Sequence, residues 1–192
     1  VGNYINNYTI GDDCLISNIS VMETTEGATY GEGNLISVLN EVGDGNVIFF
    51  HDLNSQFAAF MVKHFNDKDL KNAIRRLIKE EIERTNPERG TIGNNVKIVN
   101  TKEITNTVIQ NDCEISGASR LSDCTILSSE HASVYIGTGV ICENSIISDG
   151  SSIVNSVKMQ DCFVGEACQI SNGFTASQSV FFANSFMSNG EA

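Results

Sequence analysis

Proline occurs once in this chain, tryptophan not at all, and histidine only three times. So little proline leaves no room for polyproline linkers or low-complexity arms. Six cysteines form no Cys-x-x-Cys pair, so zinc-ribbon and dithiol redox chemistry have no starting point. No apolar run approaches the roughly eighteen residues of a helical membrane span. Cations are scarce as well: twelve Lys and Arg stand against twenty-four Asp and Glu, a net charge of −12. Such a balance argues against a nucleic-acid groove or an anionic membrane as partner. Also missing are a phosphate-binding P-loop, a dinucleotide glycine motif and a serine nucleophile elbow.

What is present is a rhythm of six. Ile92, Ile98, Ile104, Ile109, Ile115, Leu121 and Ile126 step by six, six and five, then repeat, closing at seventeen residues. The series resumes at Ile136, Cys142, Ile147, Ile153, Met159, Val164, Ile170, Ala176 and Phe181. Segments preceding each short step match: Asn106-Thr107-Val108-Ile109, Asp123-Cys124-Thr125-Ile126, Asn144-Ser145-Ile146-Ile147, Asp161-Cys162-Phe163-Val164 and Gln178-Ser179-Val180-Phe181. Between the two groups the offset is twenty-one, so four extra residues fall around Ser128 to Ser133. A fixed period with one localised insertion is a solenoid signature. Six residues suit a short strand and a bend, three such steps close a coil, and coils stack at the strand spacing of about 4.8 Å. Cys14, Cys113 and Cys168 fall at a small inward position shared with Val96 and Val140, which marks them as buried thiols rather than ligands.

These residues resemble the hexapeptide-repeat, left-handed parallel β-helix superfamily over all but the middle of the chain. The fold expected is therefore mainly β, a left-handed parallel β-helix of 17–18 residues per coil and roughly eight to nine coils, with a two-helix insertion. Residues 1–48 would form the first coils, 49–90 the helical insertion and 91–192 the remaining coils of a single domain. In the first stretch Ile10, Ile16 and Val21 keep the rhythm; Tyr30, Ile36, Val42 and Ile48 resume it, with Asn34, Asn40 and Asn46 as an inward asparagine ladder. The chain begins at Val1 and stops mid-pattern after Met187, as expected of a piece of a longer protein.

Residues 49–90 abandon the period. Leu53, Phe57, Phe60, Met61, His64 and Phe65 share one helical face, capped by Asp52, Asn54 or Ser55. A second helix begins at Asn66 or Asp67, turns Leu70, Ile74, Leu77, Ile78 and Ile82 inward, pairs Glu80 with Arg84, and ends before Pro87. This amphipathic pair must pack on the flank of its own coil, on a neighbouring subunit or on further parts of the protein. Residues 51–90 carry eight cations and seven acids, so the coils hold nearly all the negative charge.

The same resemblance implies a site. Hexapeptide-repeat acyltransferases place a histidine as general base at a cleft between prisms, and acetyl-CoA is the cofactor it suggests. The candidates are His51, where the stack gives way to the insertion, with Asp52 to orient it, and His131, beside Glu130 in the four-residue bulge. His64 lies on an apolar helix face and is read as structural. Arg75 and Arg76 are the candidate phosphate contacts, although Arg76 and Lys79 interleave with Glu80 and Glu83. Asn144 to Gly150 and Asn155 to Val157 look like the β-helix repeats of sugar-nucleotide pyrophosphorylases, and the whole is similar to UDP-N-acetylglucosamine pyrophosphorylase-related proteins of Bacteroidetes-type bacteria. The resemblance implies a bacterial, transferase-like domain acting on a sugar or nucleotide sugar and packed as a homotrimer, with a monomer as the competitor because the coils are acidic; reduced thiols suit a cytoplasmic protein. The alternative is a non-catalytic scaffold that positions a catalytic domain. No metal is implied, and the pyrophosphorylase nucleotide loop with its lysine is absent, so these residues do not themselves run nucleotidyl transfer.

Overall fold

The computed structural model describes residues 4–37 and 46–192. The chain comes back beside itself every 17 residues in parallel register, as where Ile98 lies against Ile115 and Ile104 against Leu121. At the bulge the step is 21, placing Ile126 beside Ile147. Three faces result. One runs from Ile5–Asn6 through Val21–Glu23 and the first halves of Glu103–Ile109, Arg120–Ile126 and Ile141–Ile147 to Lys158–Gln160 and Thr175–Ser177. A second carries Tyr8–Ile10, Gly90–Ile92, the second halves of the same three long strands, Phe163–Val164 and Val180–Phe181. The third is a seven-stranded sheet from Leu15–Ser17 to Phe186–Ser188. The protein is mainly β, with long parallel sheets and two helices, an arrangement consistent with a parallel β-helix.

Sequence explains the winding. The aliphatic at each sixth or fifth position points into the stack, and from Ile92 to Ile170 every one of them is essentially inaccessible. Each full burial of such a side chain contributes about 1.5–3 kcal/mol. The corners need a left-handed backbone, which asparagine and aspartate tolerate best among residues with a side chain. Asn106, Asp123, Asn144, Asp161 and Gln178 all have φ between 47° and 53°. Their amides tie layers together, Asn106 Nδ2 donating to Asp123 Oδ1 at 3.1 Å and Asn144 Nδ2 to Asp161 Oδ1. All six cysteines are free thiols, and burial pushes Cys113 up to about 12 and Cys162 to about 11, so neither is a reactive thiolate.

Among the described residues the parallel coils do not extend to residue 48, and each face counts seven layers rather than eight or nine. Leu35–Ile36 and Val47–Ile48 pair antiparallel, in a hairpin that matches the six-step spacing without joining the stack. Tyr8–Ile10 pairs next with Gly90–Ile92, an offset of 82 where neighbouring layers differ by 17. The excursion therefore leaves after Glu23 and returns at Gly90. The expected asparagine ladder is not formed: Asn34 donates to the carbonyls of Gly31 and Asn144, Asn46 accepts from Ser37 Oγ, and Asn40 lies outside the described residues.

Within the excursion, helix α1 (Ser55–Lys63) is capped by Asn54, whose side chain accepts the Phe57 N–H. Helix α2 (Lys68–Thr85) is capped by Asp67 and ends at Asn86, held extended before Pro87. Ile74 and Ile78 face inward, but Leu77 and Phe60 are exposed, since the apolar stripes are narrower than expected. Arg84 pairs with Glu81 rather than Glu80, and Glu80 lies 3.7 Å from Arg76. The helices and hairpin bury Ile36, Val47, Phe49, Phe50, Leu53, Met61, Ile74 and Ile78 against Ile146 and Phe163, outward residues of the second face. Of the three packing options, the structure takes the flank of its own coils.

Gly31 lies directly against the coil backbone. Its φ is +78°, and a Cβ there would meet Asp123 O at 2.7 Å and Ser145 N at 2.9 Å. Gly31→Ala is therefore expected to destabilise the protein by about 1–3 kcal/mol from backbone strain alone, with more from the clash. Chemical denaturation checks this, and limited proteolysis should cut first between residues 24 and 89. A variant that melts with the parent would show that segment 30–34 is not fixed on the coil corner.

Candidate functional site

The excursion and the second face enclose a cleft of 660 Å³. His51, Asp52, Asn54 and Gln56 wall one side; Leu127, Ser148, Asp149, Phe163, Glu166 and Phe182 wall the other. The cleft exists because the flank of the stack is flat and only the excursion stands above it. None of its lining residues is Lys or Arg, while Asp52, Asp149 and Glu166 bring carboxylates.

His51 is positioned from behind. Phe49 accepts the Gly33 N–H through its carbonyl and donates its own N–H to Asn34, so the two limbs of the excursion are zipped up to His51. Glu32, buried on the facing limb, accepts the His51 backbone N–H at 3.1 Å with Oε2 and lies 3.3 Å from Nδ1 with Oε1. That carboxylate fixes the ring and directs Nε2 outward, where it meets Glu81 Oε1 at 3.6 Å and Asp52 Oδ2 at 3.8 Å. The side chain of Glu32 is 2% exposed and that of Asp52 73%. Glu32, not Asp52, is thus the orienting residue. Arg84 in turn bonds Glu81, Nε to Oε2 at 3.1 Å and Nη2 to Oε1.

Electrostatics follow from this ring of anions. The hydrogen bond to Glu32 raises the His51 pKa, partial burial works against it, and the charges of Glu32, Asp52 and Glu81 raise it further. The imidazolium thus persists to higher pH than in a free histidine, which works against a general base. The Arg84 guanidinium, by hydrogen bond and charge, lowers the Glu81 pKa.

The other expected residues are not brought to this place. Arg75 is exposed and borders two different hollows, one with Met61, His64 and Phe65, the other with Ile78 and Ile82. Arg76 is exposed and faces Glu80. Neither arginine lines the cleft, so the expected pairing of His51 with phosphate-binding arginines is not made. His131 is exposed at the tip of a tight turn closed by Ser129 and Ala132, and Ala132 O accepts the Gly150 N–H beside Asp149. His64 sits at the C-terminus of α1 with its ring against Phe60, centroids 4.7 Å apart. Sequence reasoning missed Glu32, Glu81, Asp149 and Glu166. The six-step spacing places Glu32 in a coil, and Glu81 lies next to Glu80, which helical spacing pairs with Arg84. No local signal connects them to His51.

Fold and site together define a stack of parallel coils with a helical excursion and an acidic, histidine-edged cleft between the two. The chain belongs to the family described as Domain of unknown function (DUF4954), whose model matches residues 1–192. No curated protein and no solved structure matches it. No helix among the described residues is long and apolar enough to cross a membrane.

The raised His51 pKa makes a prediction about stability. Its contribution is fully present below the unfolded value near 6.5 and is lost as pH rises through the higher folded value. Denaturation midpoints of the parent and of His51→Gln, measured in chelator from about pH 5.5 to 9, should differ most at the acid end and converge toward the alkaline end. A constant gap would mean that Glu32, Asp52 and Glu81 do not stabilise the ring's charge.

Proposed function

We propose that this chain is a left-handed parallel β-helix of the hexapeptide-repeat kind, forming the sugar-binding module of a bacterial, cytoplasmic, transferase-like protein. One observation carries the functional part: the cleft combines the half-buried phenyl ring of Phe182 with carboxylates and amides, Asp52, Asn54, Gln56, Asp149 and Glu166. Such a ring offers an apolar surface to the face of a pyranose, and carboxylates and amides accept and donate to its hydroxyls. The lining suits the sugar moiety of a nucleotide sugar better than its phosphates, because protein cations are missing from it. For the same reason acetyl-CoA has no docking charge there, and acyl transfer from it has weaker support than sugar binding.

Thermal shift with N-acetylglucosamine, UDP-N-acetylglucosamine and acetyl-CoA tests the reading. A ligand at one hundred times its dissociation constant stabilises by about 2.7 kcal/mol. The two sugar-bearing compounds should raise the melting temperature and acetyl-CoA should not, and Phe182→Ala should remove the gain. Flat curves throughout would favour the second reading, a scaffold that positions a catalytic domain, for which the flat, repetitive faces are the supporting observation.

The coil faces also suit packing about a threefold axis, and we propose a homotrimer. Light scattering at high concentration should give three times 20.8 kDa. A mass of one chain would sink that assembly.

A further inference from the structure

We propose that His51 Nε2, Asp52 and Glu81 hold a divalent transition-metal ion at the edge of the cleft, with Glu32 as the carboxylate behind the histidine. One ligand atom from each of the three lies within 4.8 Å of the others. In a tetrahedral site with bonds near 2.1 Å, ligand atoms lie about 3.4 Å apart. Nε2 is 3.6 Å from Glu81 Oε1 and 3.8 Å from Asp52 Oδ2. Those two separations need to close by only a few tenths of an ångström; the two carboxylate oxygens, within 4.8 Å of each other, need a larger movement, which exposed Asp52 has the freedom to make.

The second observation concerns the other nitrogen of the same ring. A metal-binding imidazole usually gives its other nitrogen to a carboxylate, which fixes the tautomer and strengthens the ligand. Glu32 provides that carboxylate on Nδ1, buried and itself held by the His51 backbone N–H. The arrangement therefore presents a lone pair on Nε2 toward two further carboxylates once the ring is neutral. One nitrogen and two oxygens suit Mn²⁺ or Zn²⁺ better than Mg²⁺ or Ca²⁺, which favour oxygen alone. Three protein ligands leave a coordination position for water or for a ligand's oxygen, as catalytic rather than structural sites do. The ion would supply the positive charge that the cleft's lining lacks. Arg84 competes for Glu81 Oε1, but its side chain is 70% exposed and is free to withdraw.

The site shares the cleft with the proposed sugar, so its test uses no sugar, and either proposal can fail alone. Calorimetry on the full chain after chelator treatment, with Mn²⁺ as the principal titrant because buried thiols do not attract it, should show one site per chain. Glu81→Gln and His51→Gln should abolish binding, and Glu32→Gln should weaken it by about 10- to 100-fold. Arg84→Ala, which removes the competing cation from an exposed helix position, should tighten it. Mn²⁺ electron resonance should show the nitrogen ligand in the parent and lose it in His51→Gln. No binding by the parent overturns the proposal. So does binding that survives both Glu81→Gln and His51→Gln, or that Arg84→Ala weakens.

Discussion

Everything in this molecule depends on identical layers stacking in register. A residue is inward or outward according to its place in a 17-residue cycle, and parallel pairing repeats that place in the layer above. A slip of one residue in any layer would turn its aliphatics outward and its polar residues inward. The bulge at 127–134 and the excursion at 24–89 are tolerated because each leaves and re-enters at a corner, so the cycle resumes in phase. Corners can absorb such additions because their backbone already departs from the strand, as the left-handed Asn106, Asp123 and Asn144 show.

Register also explains the charge pattern. Stacking places outward residues directly above one another, so like charges at equivalent positions repel. Arg120 sits between Glu103 and Glu143, at 3.2 and 2.8 Å in the layers on either side, and Lys97 meets Glu114 at 2.8 Å. These few cations are consumed within the stack. Several of those of α2 are spent on glutamates as well, Arg76 beside Glu80, Lys79 beside Glu83, and Arg84 on Glu81 at the edge of the cleft. The cleft is left acidic, with His51 as its only cationic side chain among the lining residues.

The coils were legible in the sequence because each layer repeats the same demand on the same position. The excursion was legible only in part. Its helices announced themselves through caps at Asn54 and Asp67 and through Pro87. The hairpin did not, because Ile36 and Ile48 sit at multiples of six and spacing alone cannot separate parallel from antiparallel pairing. Periodicity turns Leu77 and Phe60 inward, yet both are exposed, because helical spacing defines a face but not the width of its partner. His51 was found from the break in the repeat. Glu32 was hidden because what joins it to His51 is the pairing of two excursion limbs, a long-range contact that no motif encodes.

The placement of Glu32 also separates two explanations of the site. A buried carboxylate is costly unless it is hydrogen-bonded and matched in charge. The His51 amide and an imidazolium at Nδ1 satisfy Glu32 without help from any other residue. A purely structural clamp would be complete at that point. Asp52 and Glu81 add two more carboxylates to the opposite side of the same ring, where one positive charge already has a partner. Arg84 offsets only Glu81. The surplus is negative, local and aimed at one nitrogen beside the 660 Å³ cleft, a distribution that a fold-stabilising pair does not need and that the proposed cation would neutralise.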